Sequence, residues 1–304
     1  MPPRLQTRCG AAIQCALNRG GASLDVGARD TVGAFVRSQM NADGGFRGRA
    51  AESDLYYTVF GLECARAITL ALPLDELRKF VEAQAPMPLD FVHLTCLARC
   101  LEILWPDHAK PAWGARLPDR LKAYACAEGG FHRKPGQRRG AVYESFLGML
   151  AGESLGVEWP GLDQFGDVLG GLCQASGGFS NGDGLWSSTT PVSAAALLVL
   201  RELKRPLPAR AIEWLLKRQC SHGGFAAAAL VPLPDLLSTA TGLHALNCLG
   251  AMHGVKLDAC FEFVTGCWSE AGGFHAHALD RTPDCEYTFY ALLALGNLVA
   301  ESAA

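Results

Sequence analysis

The chain has no CxxC pair, no apolar run of the roughly 18–20 residues that a bilayer requires, and no excess of basic residues. Each absence excludes a class. Twelve cysteines are scattered among Leu and Ala in 304 residues, a pattern expected of reduced, buried thiols in a cytosolic protein rather than of a disulfide framework. Lys+Arg 27 against Asp+Glu 30 argues against a nucleic-acid partner, which would call for a basic surface. The first residues, MPPRLQTRCGAAIQCALNRGG, lack an unbroken apolar core and do not read as a secretory signal. No Ser-His-Asp order, phosphate-binding loop or HExxH stands out. With 49% hydrophobic residues and 19% charged, the chain has ample material for a core, which excludes disorder.

What the chain has is a repeat. Gly-Gly-Phe occurs at Gly44, Gly129, Gly177, Gly223 and Gly272, and the last four begin at intervals of 48, 46 and 49 residues. The first gap, 85, fits two shortened units, one of which has lost its glycines near residues 84–88. Periods of roughly 20–50 residues mark stacked or closed arrays of one supersecondary unit. Each unit predicts an amphipathic helix, a Gly-Gly that stops it, a loop, and a second, nearly uncharged helix. The second helices are expected to begin near Asp54, Asp90, Ala141, Thr190, Asp235 and Asp284. A helix apolar all round must be buried. Six such helices inside six polar-faced ones predict an all-α fold, an α/α toroid of six helix pairs; an open solenoid would use the same signals. Residues 1–26 are expected to be a helical extension and 27–304 a single toroid domain.

Gln39-Met-Asn-Ala-Asp-Gly-Gly-Phe46 and Gln219-Cys-Ser-His-Gly-Gly-Phe225 resemble the Gln-x-x-x-Gly-Gly-Phe repeats of protein prenyltransferase β subunits and squalene–hopene cyclase-like proteins. The segment from Gly44 to Tyr57 resembles the prenyltransferase stretch Gly-Gly-Phe-x-Gly-Arg…Asp-x-Cys-Tyr. That resemblance implies a diphosphate-binding role for Arg49, a zinc-ligand position at Asp54 and a substrate role for Tyr57, while Tyr56 stands where the zinc cysteine belongs. Asp90-Phe-Val-His93 is similar to the family's Asp-x-x-His-Thr, whose His is the third zinc ligand. The acidic Asp-x-Asp-Asp motif of the cyclase branch is absent, and Asp284-Cys-Glu286 is the nearest acid pair.

For zinc, the surviving combination is Asp284 and Cys285 with His275 or His277; the alternative makes Asp284 a helix cap and Cys285 a buried thiol. Tyr56, Tyr57, Tyr143, Trp186, Tyr287 and Tyr290 near the inner-helix heads predict an aromatic cavity. Arg47 and Arg49, with Arg133, Lys134, Arg138 and Arg139, predict a basic rim, and His93 is a candidate binding or core residue. Such a site suits a diphosphate head with a hydrocarbon tail. The resemblance implies an isoprenoid diphosphate or other lipid as ligand and a helical-repeat partner subunit. Three readings stand: a prenyltransferase, with Asp54, Tyr57, Asp284 and Glu286 as candidate catalytic groups; a terpene-cyclase-like enzyme with Asp284 or Glu286 as its acid; and a non-catalytic lipid- or protein-binding toroid.

Overall fold

The computed structural model describes residues 8–106, 110–182 and 187–302. Six outer helices alternate with six inner ones. The outer helices are α2 (Val26–Ser38), α4 (Leu74–Gln84), α6 (Leu117–Lys122), α8 (Gly161–Leu169), α10 (Ala209–Leu216) and α12 (Leu257–Gly266). The inner helices are α3 (Leu55–Ala67), α5 (Phe91–Leu104), α7 (Val142–Leu155), α9 (Thr190–Glu202), α11 (Leu236–Cys248) and α13 (Cys285–Ser302). Each inner helix packs on the next, and α13 packs back on α3, so the ring is closed and not an open solenoid. The inner helices start where the sequence places them. Asp54, Asp90, Asp235 and Asp284 each accept a backbone N–H from the first turn, which satisfies donors the helix cannot pair internally.

The glycines do more than end helices. Helix α10 already stops at Leu216, well before Gly223, so the Gly-Gly pair is a separate turn. Gly223 has φ +90°, and a Cβ there would sit 1.8 Å from the carbonyl oxygen of Ala259 on the next outer helix. Gly272 has φ +93° and approaches Thr31 on α2 in the same way, which joins the last unit to the first. Only glycine permits both that backbone conformation and that contact.

The Phe that follows is buried in every copy, and its N–H donates to a hydroxyl at the fourth residue of the next inner helix. The partners are Thr58, Ser145, Ser193, Thr239 and Thr288, at 2.9–3.2 Å. The glycine-free unit has Leu94 at the fourth position of α5, so it has lost donor and acceptor together.

Helix α1 (Cys9–Ser23) lies under the ring, against the C-terminal ends of the inner helices. Gly10 N–H donates to Glu153 Oε2 at 2.8 Å and Arg19 Nε to the Gly296 carbonyl at 2.9 Å. A Cβ on Gly296 would meet the Ala16 carbonyl oxygen at 1.7 Å, so α1 and α13 touch backbone to backbone. The ring thus has a mouth at the inner-helix N-termini and a floor made by α1.

Candidate functional site

A cavity with about 1090 Å³ of atom-free space, its open mouth included, occupies the centre of the ring. Its lining follows the helix repeat: the second, fifth or sixth, and, except for Glu63 of α3, ninth residues of the inner helices point inward. The mouth layer is Tyr56, Val92, Tyr143, Pro191, Leu237 and Glu286. Below it, Phe60, Phe289 and Tyr290 form an aromatic wall on α3 and α13, with Phe60 and Phe289 edge to face at 5.0 Å. Ala194 and Ala195 of α9, across the ring, leave the space open. The floor layer is Arg99, Leu150, Leu198, His244 and Leu293, closed by Ile13 of α1.

Glu286 is the acid of the mouth layer. Tyr56 Oη donates to its Oε1 at 2.7 Å. Burial pushes the Glu286 carboxyl up to about 7, opposed by the Tyr56 bond and raised further by nearby Asp284. A carboxyl so placed is poised near neutrality, where a general acid works best. Burial likewise raises Tyr56 and Tyr290 well above the ordinary phenol range, and Tyr143 to about 12, so these phenols stay neutral.

At the rim four of the expected cations, Arg49, Arg133, Arg138 and Arg139, are paired with acids. Arg49 Nη2 meets Asp280 Oδ2 at 2.7 Å and its Nε lies 3.5 Å from Asp284 Oδ2, with the guanidinium 5.9 Å from the Tyr287 ring centre. Its bond to Asp280 holds that carboxyl low, while burial raises Asp284. Arg133 bonds Glu144 at 2.9 Å, and Arg138 and Arg139 both pair with Glu128. Arg47 Nη2 donates to the Ser38 carbonyl at 3.3 Å, away from the mouth. Tyr57 packs under Gly48, where a Cβ would lie 2.0 Å from its ring.

The zinc set does not assemble. Among the described residues no three His, Cys, Asp or Glu side chains are gathered so as to hold a metal ion. Cys285 is fully buried in the ring wall, beside Cys64, whose thiol donates to the Cys285 carbonyl at 3.5 Å, and burial raises both thiols far from thiolate formation. Asp284 is a helix cap facing Arg49. His275 lies beside Trp268 and Arg281, and His277 Nδ1 accepts the Leu279 N–H at 3.2 Å. The four residues therefore face separate surroundings, and a site built from them is corrected.

The positions similar to the family's Asp and His do meet. His93 Nε2 lies 3.3 Å from Asp54 Oδ2, and Nδ1 lies 2.7 Å from Asp90 Oδ1. Burial would lower the His93 pKa, but the two carboxylates outweigh it and raise the value. With Tyr56 in the cysteine position and bonded to Glu286, that corner holds an Asp54–His93–Asp90 hydrogen-bonded cluster.

Of the expected binding residues, Tyr56, Tyr143 and Tyr290 line the cavity, as does the acid Glu286. Arg49, Tyr57, His93 and Tyr287 sit at the rim, and Trp186 lies outside the described residues. Sequence reasoning missed Ile13, Thr95, Cys96, Arg99, Thr241 and His244. Counting from each inner-helix start would have found all but Ile13, because the inward positions recur.

The sequence pattern of the prenyltransferase alpha-alpha toroid domain matches residues 6–157 and 173–302. The chain belongs to this prenyltransferase toroid family. No protein with a curated description matches it in sequence. Among solved structures this family member is similar to the type II terpene cyclase MstE from Scytonema, at TM-score 0.63 and 15% identity over 94% of this chain and 99% of that one. It is also similar to Candida albicans protein geranylgeranyltransferase-I complexed with GGPP, at TM-score 0.53 and 15% identity over 98% of this chain and 86% of the other. At these identities the likeness is one of fold. No helix among the described residues is long and apolar enough to cross a membrane.

Proposed function

We propose that this toroid is an enzyme that takes an isoprenoid chain into its central cavity and starts a cyclisation by protonating it, with Glu286 as the acid. The observation that carries the reading is the placement of the Glu286 carboxyl, which lines an aromatic cavity and is held by Tyr56, with burial raising its pKa to about 7. An alkene accepts a proton only if the resulting cation is stabilised. The faces of Phe60, Phe289 and Tyr290 do that without adding a nucleophile that would trap it at once, each desolvated cation–π contact contributing about 2 kcal/mol. As the proton leaves, the Tyr56 hydrogen bond strengthens onto the growing carboxylate. The ligand class is a polyprenyl chain, free or attached to a polar head. A type II terpene cyclase among the similar structures holds geranylgeranyl dihydroxybenzoate as its substrate, which makes that compound a suitable first probe.

Prenyl transfer from a diphosphate remains the second reading, favoured by Arg49 at the mouth beside Tyr287. It requires Arg49 to release Asp280 and draws no support from a metal site.

The deciding experiment incubates the protein with geranylgeranyl dihydroxybenzoate or geranylgeranyl diphosphate in deuterated water, with products read by mass spectrometry. The acid reading expects a cyclised product carrying one solvent deuterium, formed more slowly above about pH 7 and abolished in Glu286→Gln. Release of diphosphate without deuterium uptake would replace it with the transfer reading.

A further inference from the structure

Of the ninth residues of the six inner helices, five face the cavity and Glu63 of α3 does not. Glu63 faces a second pocket, between α1 and the C-terminal halves of α3, α5 and α7, that is lined by Arg66, Arg99, Glu102, Glu153 and Ser154. This pocket has about 930 Å³ of atom-free space, its opening included. It shares Arg99, Ile13 and Leu150 with the central cavity, so these side chains are the partition between an apolar room and a polar one.

Two buried carboxylate oxygens at this pocket, Glu63 Oε2 and Glu153 Oε1, have no hydrogen-bond partner among the described residues. Glu63 is only 4% exposed, and its Oε1 is bonded by Arg99 Nη2. Buried acceptors on charged groups need donors. In a pocket open to solvent and lined by several polar groups, water supplies them. Arg99 is paired with Glu63, so it brings polarity to the cavity floor without net charge, and its remaining N–H groups are suited to orient a water there.

We infer that the pocket beneath α1 delivers water past Arg99 to the cavity floor, and that the reaction ends by hydration. This rests on the acid-initiated reading above. Glu286 gives its proton to the terminal alkene, ring closure moves the positive carbon toward the floor, and water adds its oxygen lone pair to that carbon. The resulting oxonium loses its proton through the water to the Glu63 carboxylate and on to solvent, while Glu286 regains a proton at the mouth. The net change is substrate plus water to a cyclic alcohol. The other basic group on the floor is His244. Its Nδ1 lies 3.4 Å from Asn297 Oδ1 and its Nε2 3.7 Å from Cys248 Sγ, and proton loss to an olefin is the competing end of the reaction.

The test uses the full chain with geranylgeranyl dihydroxybenzoate in H2(18)O and, separately, in D2O. The expected product is a cyclic alcohol carrying one solvent oxygen and one carbon-bound solvent deuterium. Ile13→Phe, which thickens the partition from α1, and Leu150→Phe, which thickens it from α7, should each lower the alcohol-to-olefin ratio about tenfold while deuterium uptake persists. An olefin carrying deuterium as the sole wild-type product, or an unchanged ratio in both phenylalanine variants, would overturn hydration and leave the acid reading standing. No deuterium uptake by the wild type would remove both.

Discussion

Replacing Glu286 with glutamine isolates the cost of placing an acid in an apolar mouth. Glutamine keeps the shape and an oxygen that can accept the Tyr56 hydroxyl, but it cannot ionise. The folded protein raises this carboxyl from 4.5 to about 7. Below pH 4.5 the group is neutral in folded and unfolded chains alike, and glutamine should change little. Between these values the unfolded chain gives up its proton while the folded one keeps it, so the wild type loses stability as pH rises, and above about pH 7 the loss is complete. At ~1.4 kcal/mol per pKa unit, Glu286→Gln should be more stable than wild type by about 1 kcal/mol at pH 5 and about 3 kcal/mol at pH 8.5. Urea unfolding followed by circular dichroism at the two pH values measures both differences. A stability gap that does not widen with pH would show that Glu286 is ionised and solvated in the folded state. The acid proposal would then lose its basis.

Three further substitutions test other parts of the structure. Gly223→Ala places a Cβ 1.8 Å from the Ala259 carbonyl oxygen at φ +90° and should cost about 3 kcal/mol or more, whereas Gly136→Ala, at φ +75° with nothing within 4 Å, should cost about 1 kcal/mol. Equal costs in denaturant unfolding would mean that the repeat glycines serve turn geometry alone. Arg49→Ala frees Asp280 and Asp284; if the diphosphate reading holds, calorimetric affinity for geranylgeranyl diphosphate should fall about tenfold, an ordinary loss for a charged hydrogen bond. Unchanged affinity would place any diphosphate elsewhere.

The architecture was legible because its signals repeat. Gly-Gly-Phe spacing gave the number of units, and the aspartates at 54, 90, 235 and 284 gave the inner-helix starts, since capping is a local matter of a side chain and the next few N–H groups. The site was legible only in part. Tyr56, Tyr143 and Glu286 fall at helix heads and Tyr290 one turn below, so all four could be placed by count. The pairing of Arg49 with Asp280, across the ring closure, and of Arg99 with Glu63, across neighbouring helices, depends on tertiary neighbours that no local pattern encodes. The basic rim reads differently in the fold: Arg49 is paired with acids of the last unit, while Arg133, Arg138 and Arg139 are paired with Glu144 and Glu128 of their own unit. The zinc set does not gather because its members have other partners: Asp284 caps α13 and faces Arg49, while Cys285 is buried beside Cys64.

The backbone contact between α1 and α13 also bears on how the molecule is made. Arg19 and its acceptor Gly296 are 277 positions apart, and Gly272 reaches Thr31 over a similar separation. A topology governed by such distant partners folds slowly, because loop entropy is spent before those contacts repay it. During synthesis the greasy faces of α3 through α11 emerge before α13 exists to complete the circle and hold α1 beneath it. Until that last helix arrives the nascent chain has a hydrophobic seam open to its neighbours, and its yield in a cell should depend on chaperones that shield the seam in the interval.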